Sequence, residues 1–263
     1  MLTPSAFDVV RFCWWRVSFY YPRLVISRFT KRTPVVFGFG GRDGASYLVN
    51  KLQSVNVLAP TVMCKVMTKC GSDKGAGWHN YTTLYSALFE EYLDRPLRIL
   101  ELGLGTNNPK VPFNMSILGH PGASVRGWRD LFPSAFVYGA DIDRNILFHE
   151  DRIKTFYCNQ LDQAAIRDLW AQPDLQGGAD IIIEDGLHTF EANISFMEGS
   201  LDHLRPGGIF IIEDIERKWN KRWLEVLESN YSKCRPDYEF ALVDLPNSLN
   251  DYWNNLLVIR RKD

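Results

Sequence analysis

Two stretches of the sequence place acidic side chains directly after a run of apolar residues. Residues 181–188 read Ile-Ile-Ile-Glu-Asp-Gly-Leu-His, so that Glu184, Asp185 and His188 follow three β-branched residues. Residues 208–214 read Gly-Ile-Phe-Ile-Ile-Glu-Asp and end in Glu213 and Asp214. Short β-branched runs are typical of buried strands in parallel sheets. Because the carboxyl ends of such strands meet at one sheet edge, we expect these acidic side chains to converge there.

Converging carboxylates predict a site for a hard metal ion. Like charges held together away from water repel one another unless a cation neutralises them. Oxygen ligands without a cysteine or histidine cluster favour Mg²⁺, with Mn²⁺ or Ca²⁺ as alternatives. We expect Asp185, Glu213 and Asp214 to be the ligands, with Glu184 as the substitute. The competing interpretation is that these residues are solvated at strand ends, or that Asp185 caps the next helix.

A glycine-containing turn follows an earlier predicted strand and indicates a cofactor site. The sequence ELGLG, residues 101–105, carries Gly103 and Gly105, which let backbone amides approach a ligand closely. Glu101 suits a ligand with a cationic amino-acid moiety better than a pyrophosphate, and no GxGxxG follows. The next strand ends in Asp141, whose carboxylate can accept both hydroxyls of a ribose. Dinucleotides and S-adenosylmethionine both need that contact, so it does not separate them.

The alternation of apolar and amphipathic segments predicts an α/β fold. Predicted strands cover residues 98–102, 135–141, 153–157, 180–184, 208–213, 238–244 and 255–261. Predicted helices cover residues 81–92, 163–172, 190–204 and 217–231. This order is typical of a Rossmann-like, mostly parallel sheet of seven strands flanked by helices. The last two strands have no helix between them, so we expect an antiparallel hairpin at the C-terminal end of the sheet.

Composition excludes several classes of protein. The chain has 263 residues, 46% of them hydrophobic and 23% charged, which is enough for one sizeable core. A formal net charge of −1 argues against a protein that binds nucleic acid through whole-surface attraction. Five scattered cysteines form no CxxC pair, so neither a zinc cluster nor a disulfide framework is predicted, and we expect a cytoplasmic location.

Residues 1–60 are expected to form a separate segment ahead of a domain at residues 61–263. An arginine- and aromatic-rich run at residues 7–29 is interrupted by Pro22 and is too charged for a transmembrane helix. It also lacks the features of a cleavable signal peptide. The favoured interpretation is packing against the main domain or a partner subunit of a homo-oligomer. The alternative is contact with a membrane surface.

Taken together and in order, these motifs resemble a known family. ELGLG, YGADID at residues 138–143 and the closing hairpin resemble the class I S-adenosylmethionine-dependent methyltransferases. The resemblance narrows to the metal-dependent sugar O-methyltransferases of macrolide biosynthesis, the mycinamicin type, and extends more distantly to cephalosporin-hydroxylase-like proteins. It covers about residues 68–261, and its further motifs are GSDK (71–74), GASVRGW (122–128), CNQLD (158–162), EDGLH (184–188) and RPGGIFIIED (205–214).

The resemblance implies a Mg²⁺-dependent methyl transfer from S-adenosylmethionine to a sugar hydroxyl. It implies the same metal triad, with His188 as the general base beside Asp185 and with two vicinal hydroxyls chelated by the metal. Its matching positions place the cofactor at Glu101, Gly103, Gly105 and Asp141, and further at Asp73, Lys74, Ser124, Asn159 and Gln160. His79 and Tyr81 are expected in the acceptor pocket. Each of the further residues has an alternative role in stabilising its loop, and His188 in orienting a ligand.

The sequence departs from the macrolide enzymes in two places. We expect it to lack their long N-terminal accessory region and to carry extra residues at 107–121. Since both differences fall where an acceptor is recognised, the antibiotic substrate is not carried over, and a sugar, glycoside or oligosaccharide of a glycan is expected. The remaining alternatives are a dinucleotide-dependent oxidoreductase, a methyltransferase of a non-sugar hydroxyl, and a non-catalytic assembly protein.

Overall fold

Nine strands form one mixed sheet in the computed structural model, which describes residues 33–40, 46–75, 77–247, 249–250 and 252–263. The strands are β1 (Val35–Phe39), β2 (Arg98–Leu102), β3 (Phe136–Asp141), β4 (His149–Glu150), β5 (Ile153–Tyr157), β6 (Ala179–Glu184), β7 (Leu204–Ile215), β8 (Tyr238–Asp244) and β9 (Asn255–Arg261). Their order across the sheet is β1-β8-β9-β7-β6-β2-β3-β5-β4. The strands from β7 to β5 in this order are parallel, whereas β9, β8, β1 and β4 pair antiparallel.

Helices cover both faces of the sheet. They are α1 (Ser46–Leu52), α2 (Val62–Cys70), α3 (Tyr81–Leu88), α4 (Ala123–Leu131), α5 (Gln163–Trp170), α6 (Phe190–Ser200) and α7 (Asn220–Val226), the last continued by a π-helical turn at Leu227–Tyr231. Successive residues of a strand point to opposite faces. Thus Ile99 of β2 packs with α1–α4, while Leu100 packs with α5–α7. Two buried cores result, one on each face.

The sequence predicted this fold class, and the structure confirms it. Strands β2, β5, β8 and β9 have the predicted bounds, because each is a short apolar run with clear flanking turns. The predicted count of seven strands was too low, since β1 and β4 add to the sheet. The closing hairpin of β8 and β9 is antiparallel as predicted, but it does not form the edge. Strand β1 pairs with the outer side of β8, from Val35 opposite Asp244 to Phe39 opposite Phe240, and so covers the backbone groups of an otherwise free edge.

Part of the expected N-terminal segment contributes to this sheet and its core. Arg32–Asp263 form one compact unit, in which β1 is a strand and Leu48 and Leu52 of α1 are fully buried. The arginine- and aromatic-rich run at residues 7–29 lies outside the described residues, so its role stays a prediction. Within the described part of the chain, no helix has the length and apolar character needed to cross a lipid bilayer.

Gly103 fixes the distance between the turn after β2 and the turn after β6. It has a φ of 94°, and a Cβ atom there would lie 1.9 Å from the backbone oxygen of Asp185. The Asp185 amide donates to the Leu102 carbonyl at 2.8 Å in the same place. A residue with a side chain would therefore push away the turn that carries Asp185.

Gly103→Ala should destabilise the fold by about 3 kcal/mol or more, because overpacking against backbone adds to the strain of a left-handed residue. Gly177→Ala is the matched control. Its φ is 90°, but a Cβ there meets only the ends of the Arg98 and Arg205 side chains, at 3.4 and 3.9 Å. We expect it to cost about 1 kcal/mol, the conformational strain alone. Urea unfolding of both variants measures the difference, and equal losses would contradict the close approach at Gly103.

Candidate active site at the carboxyl edge of the sheet

Lys74 lies in the middle of the predicted carboxylate cluster. Gly71, with a φ of 87°, ends α2 and turns the chain into the loop that carries Lys74. The Lys74 Nζ lies 2.5 Å from Asp185 Oδ2 and 3.3 Å from Glu101 Oε1, and it also pairs with Glu213 Oε2. Only 2% of Lys74 is exposed. The buried ammonium group of Lys74 therefore neutralises part of the negative charge that the sequence pattern assigned to a metal ion alone.

Both oxygens of Glu213 have partners inside the protein. Oε2 pairs with Lys74, and Oε1 accepts a hydrogen bond from the Tyr85 hydroxyl at 2.5 Å. Glu213 and Tyr85 are buried. Of the three expected metal ligands, Glu213 is thus the one with short hydrogen bonds to both carboxylate oxygens, and its role as a ligand stays a prediction.

Asp185, His188 and Asp214 form the group whose geometry fits a metal ion. One ligand atom from each lies within 4.8 Å of those of the other two. His188 Nε2 is 3.5 Å from Asp214 Oδ2 and 3.9 Å from Asp185 Oδ1. His188 has a φ of 55° and Asp214 a φ of 53°, which non-glycine residues rarely adopt. Backbone strain of this kind collects at functional sites, where the surrounding structure holds the residue in place.

Tyr81 and His79 support Asp214 from behind. The Tyr81 hydroxyl donates to Asp214 Oδ1 at 2.5 Å, and His79 Nε2 lies 3.5 Å from the same oxygen. The His79 ring stacks on Tyr81, with 4.5 Å between centroids. The sequence placed both residues in the acceptor pocket, but both are buried. In this structure they hold a carboxylate in position rather than offer a surface to an acceptor.

The orientation of His79 is set by Asn254. The Asn254 amide nitrogen donates to Asn80 Oδ1 at 2.8 Å and to the Leu245 carbonyl at 2.9 Å. Its amide oxygen therefore faces His79 Nδ1, at 3.1 Å, and the Asn250 amide nitrogen lies 3.3 Å from the same ring nitrogen. As a result, the other ring nitrogen of His79, Nε2, is directed to Asp214.

Formal negative charge is in excess here, because the one ammonium group of Lys74 faces the carboxylates of Glu101, Asp185 and Glu213. Burial raises the pKa of Asp185 to about 7, against the opposing effect of Lys74. Burial likewise raises the pKa of Glu213 well above its ordinary value. Burial would also raise the pKa of Asp214, but His79, His188 and the Tyr81 hydroxyl together bring it below the ordinary value. One lysine does not neutralise these carboxylates, so an added cation is favoured here.

Glu101 is fully buried and faces side chains of the protein. Ser124 Oγ donates to its Oε1 at 2.6 Å, and Trp128 Nε1 donates to its Oε2 at 2.5 Å. Together with Lys74, these groups occupy both oxygens. The sequence expected Glu101 and Ser124 to touch the cofactor. The structure brings them together beneath Lys74, and direct contact with a cofactor stays a prediction.

Asp141 lies where the sequence placed it, at the end of β3. Its Oδ2 accepts from the Leu104 amide and its Oδ1 from the Asp143 amide, each at 2.8 Å. Burial raises the pKa of Asp141. Since each carboxylate oxygen can accept a second hydrogen bond, Asp141 retains the capacity to bind two ribose hydroxyls.

Gln160 and Asn159, which the sequence analysis placed at the cofactor, both have hydrogen-bond partners inside the protein. Gln160 Nε2 donates to Glu184 Oε1 at 2.9 Å, and its Oε1 accepts from the Leu187 amide at 2.7 Å. Gln160 therefore clamps the turn that carries His188, and Glu184 lies under this turn rather than in the metal cluster. Asn159 Oδ1 accepts from the Leu161 amide at 3.1 Å. The Asp73 side chain is 60% exposed, and its Oδ2 lies 3.9 Å from His79 Nε2.

Sequence reasoning missed three residues of this site. Tyr85 donates a hydrogen bond to Glu213. The rings of Phe113 and Trp253 lie side by side next to His188, with 5.3 Å between the ring centroids of Phe113 and His188. Tyr81 and Tyr85 are four residues apart, a spacing that puts both on one face of a helix. This spacing could have indicated that Tyr85 lies at the same site as Tyr81. Phe113 and Trp253 lie in loops, where periodicity gives no such signal.

No protein-family model matches the sequence. Among curated proteins, the chain is similar to demethylmacrocin O-methyltransferase of Streptomyces fradiae, with 32% identity over 205 residues, 75% of this chain and 48% of that protein. It is also similar to 8-demethyl-8-alpha-L-rhamnosyl tetracenomycin-C 2'-O-methyltransferase of Streptomyces olivaceus, with 32% identity over 57% of this chain and 36% of that protein. The matched part of the chain thus spans less than half the length of these two relatives.

Solved structures with the same fold are methyltransferases. The MycE methyltransferase of the mycinamycin biosynthetic pathway, in complex with Mg and SAH, has a TM-score of 0.51 and 25% identity over 72% of this chain and 50% of that chain. A second structure of it, in complex with Mg, SAH and mycinamycin VI, has a TM-score of 0.54 and 22% identity over 82% and 58% of the two chains. The second match supports the fold alone.

Lys74→Met should destabilise the protein by about 3–5 kcal/mol, because it leaves buried carboxylates without their cation. The loss should narrow as the pH falls, since protonated carboxyl groups no longer need a counter-charge. Lys154→Met is the control, because Lys154 pairs with Asp174 at the surface and the pair contributes about 1 kcal/mol or less. Urea unfolding at several pH values measures both. Similar losses for the two variants would contradict the role of Lys74.

Proposed function

We propose that this chain, which has the class I methyltransferase fold and is similar to sugar O-methyltransferases, transfers a methyl group from S-adenosylmethionine to a hydroxyl of a glycoside. The relatives support the choice of acceptor, because the names of three of them describe methylation of rhamnosyl or olivosyl compounds. The main structural support for this proposal is the convergence of Asp185, His188 and Asp214 at the carboxyl edge of the sheet.

Asp185 and Asp214 are the proposed ligands of a divalent metal, Mg²⁺ by preference. Both are partly buried carboxylates at a point of excess negative charge, and hard oxygen donors suit Mg²⁺. The bound ion would orient neighbouring hydroxyls of the acceptor and make one of them more acidic. Tyr81 and His79 hold Asp214 in place for this task. The solved relative in complex with Mg and SAH agrees with such a site.

Asp141 is the proposed ribose ligand, in the turn region formed with Gly103 and Gly105. Its two oxygens are oriented by backbone amides and keep free acceptor capacity. Asn159 and Asp73 are proposed to lie beside the bound cofactor. Glu101, Ser124 and Lys74 would form the floor of this site, because they are tied to one another by hydrogen bonds and charge.

His188 is the proposed general base. Its Nε2 faces the two aspartates, and Gln160 fixes the turn that carries it. Its Nδ1 is buried without a hydrogen-bond partner among the described residues, so the ring has no competing bond on that side. His188 would take the proton from the acceptor hydroxyl as the hydroxyl oxygen attacks the methyl group of the sulfonium.

The direct test is methyl transfer from methyl-labelled S-adenosylmethionine to a panel of rhamnosides and other deoxyhexosides, followed by mass spectrometry. We expect a labelled methyl ether of at least one glycoside in Mg²⁺ and none in EDTA. Label transfer to catechols instead of glycosides would contradict the acceptor class. Absence of transfer to every acceptor would contradict the proposed activity.

His188→Ala should lower kcat by about 10²-fold or more while the binding of S-adenosylhomocysteine is retained, because the variant loses its base and not its cofactor contacts. His149→Ala is the control, since His149 is exposed on β4. A His188→Ala enzyme that keeps its rate would remove this residue from the mechanism.

Asp214→Asn should weaken Mg²⁺ binding about 10-fold or more, and Glu213→Gln should weaken it less, since Lys74 and Tyr85 already occupy Glu213. Calorimetric titration of Mg²⁺ in the presence of S-adenosylhomocysteine measures both. Equal losses would place Glu213 in the ligand set, as the sequence predicted.

A further inference from the structure

Phe113 is placed directly over the proposed base. It belongs to the extra loop at residues 107–121, which joins β2 to α4. Its ring centroid lies 5.3 Å from that of His188, nearly perpendicular to it, and 5.8 Å from that of Trp253. Phe113 is 49% exposed. Two aromatic side chains from distant parts of the chain therefore border the same polar cluster.

The loop that carries Phe113 is held in a defined conformation. The Asn107 side chain donates to the Ser116 and Gly119 carbonyls, and the Met115 amide donates to the Thr106 carbonyl at 2.9 Å. The Met115 side chain fills the space that Gly105 leaves open, because a Cβ at Gly105 would lie 2.3 Å from Met115 Cε. These contacts fasten the loop to the glycine turn.

The packing of the folded protein does not explain the backbone conformation of Phe113. Its φ of 55° is in the left-handed region, which is an outlier for a bulky residue and costs about 1–2 kcal/mol. A side chain that is half exposed gains little burial in return. Strain of this kind at the border of a site points to a role in binding.

We propose that Phe113, with Trp253 beside it, forms the subsite for the acceptor sugar. A pyranose ring has an apolar face of C–H groups and an edge of hydroxyls. Its apolar face would lie against the Phe113 ring while its hydroxyls reach Asp185, Asp214 and His188. This subsite rests on the proposed function and deepens it, because it names the residues that recognise the acceptor.

Ligand-observed NMR titration with methyl α-L-rhamnopyranoside tests the subsite, in the presence of S-adenosylhomocysteine and Mg²⁺. Phe113→Ala and Phe113→Leu should raise the dissociation constant about 10-fold, since leucine keeps the apolar volume but not the aromatic face. Phe113→Tyr should bind like the unaltered protein. Phe136→Ala is the control, because Phe136 is 56% exposed at the opposite end of the sheet, at the start of β3.

The outcomes separate the subsite from the proposed function. Equal rhamnoside binding by Phe113→Ala and the unaltered protein overturns the subsite, and so does a lack of rhamnoside binding or a preference for catechol. Rhamnoside binding that depends on Phe113 but leads to no methylation in the transfer assay supports the subsite and contradicts the methyltransferase activity. Methylation with unchanged binding by Phe113→Ala contradicts the subsite alone.

Discussion

The ammonium group of Lys74 lies against the carboxylates of Glu101, Asp185 and Glu213 in a part of the protein that is almost closed to water. Bringing these groups together carries a large desolvation cost, which mutual attraction offsets only when the geometry is good and the remaining oxygens are hydrogen-bonded. Tyr85, Ser124 and Trp128 supply hydrogen bonds of this kind. The negative charge still exceeds the positive, and this excess makes the carboxyl edge of the sheet suited to a cation and to proton transfer.

The sheet and the loops have different roles in forming the site. The buried strands fix the points from which the turns start, and Gly103 brings the turn of Asp185 close to the turn after β2. The turns then orient His188 and Asp214 through strained backbone conformations that the packed sheet supports. The loop at residues 107–121 adds Phe113 to this rigid arrangement. If Phe113 binds the acceptor as proposed, acceptor choice can change in the loop while the carboxylates and the glycine-containing turn stay as they are.

The local sequence pattern predicted those features of the structure that depend on residues close together in sequence. The apolar runs predicted the strands, and the acidic residues after them predicted the convergence of Asp185 with Asp214. Pairings between distant residues could not be predicted in this way. Lys74 contacts Asp185 and Glu213 across 111 and 139 residues of sequence, and β1 pairs with β8 from the other end of the chain. Such contacts depend on the assembled fold, so the pairing of Glu213 with Lys74 could not be inferred from local pattern.

The proposed function requires that this edge of the sheet bind S-adenosylmethionine beside a divalent metal. The decisive experiment is calorimetric titration of S-adenosylhomocysteine into the purified protein, in Mg²⁺ and again in EDTA, with NAD⁺ as the comparison ligand. We expect micromolar binding of S-adenosylhomocysteine and no binding of NAD⁺. Binding of NAD⁺ in its place, or no binding of S-adenosylhomocysteine in either buffer, would contradict it.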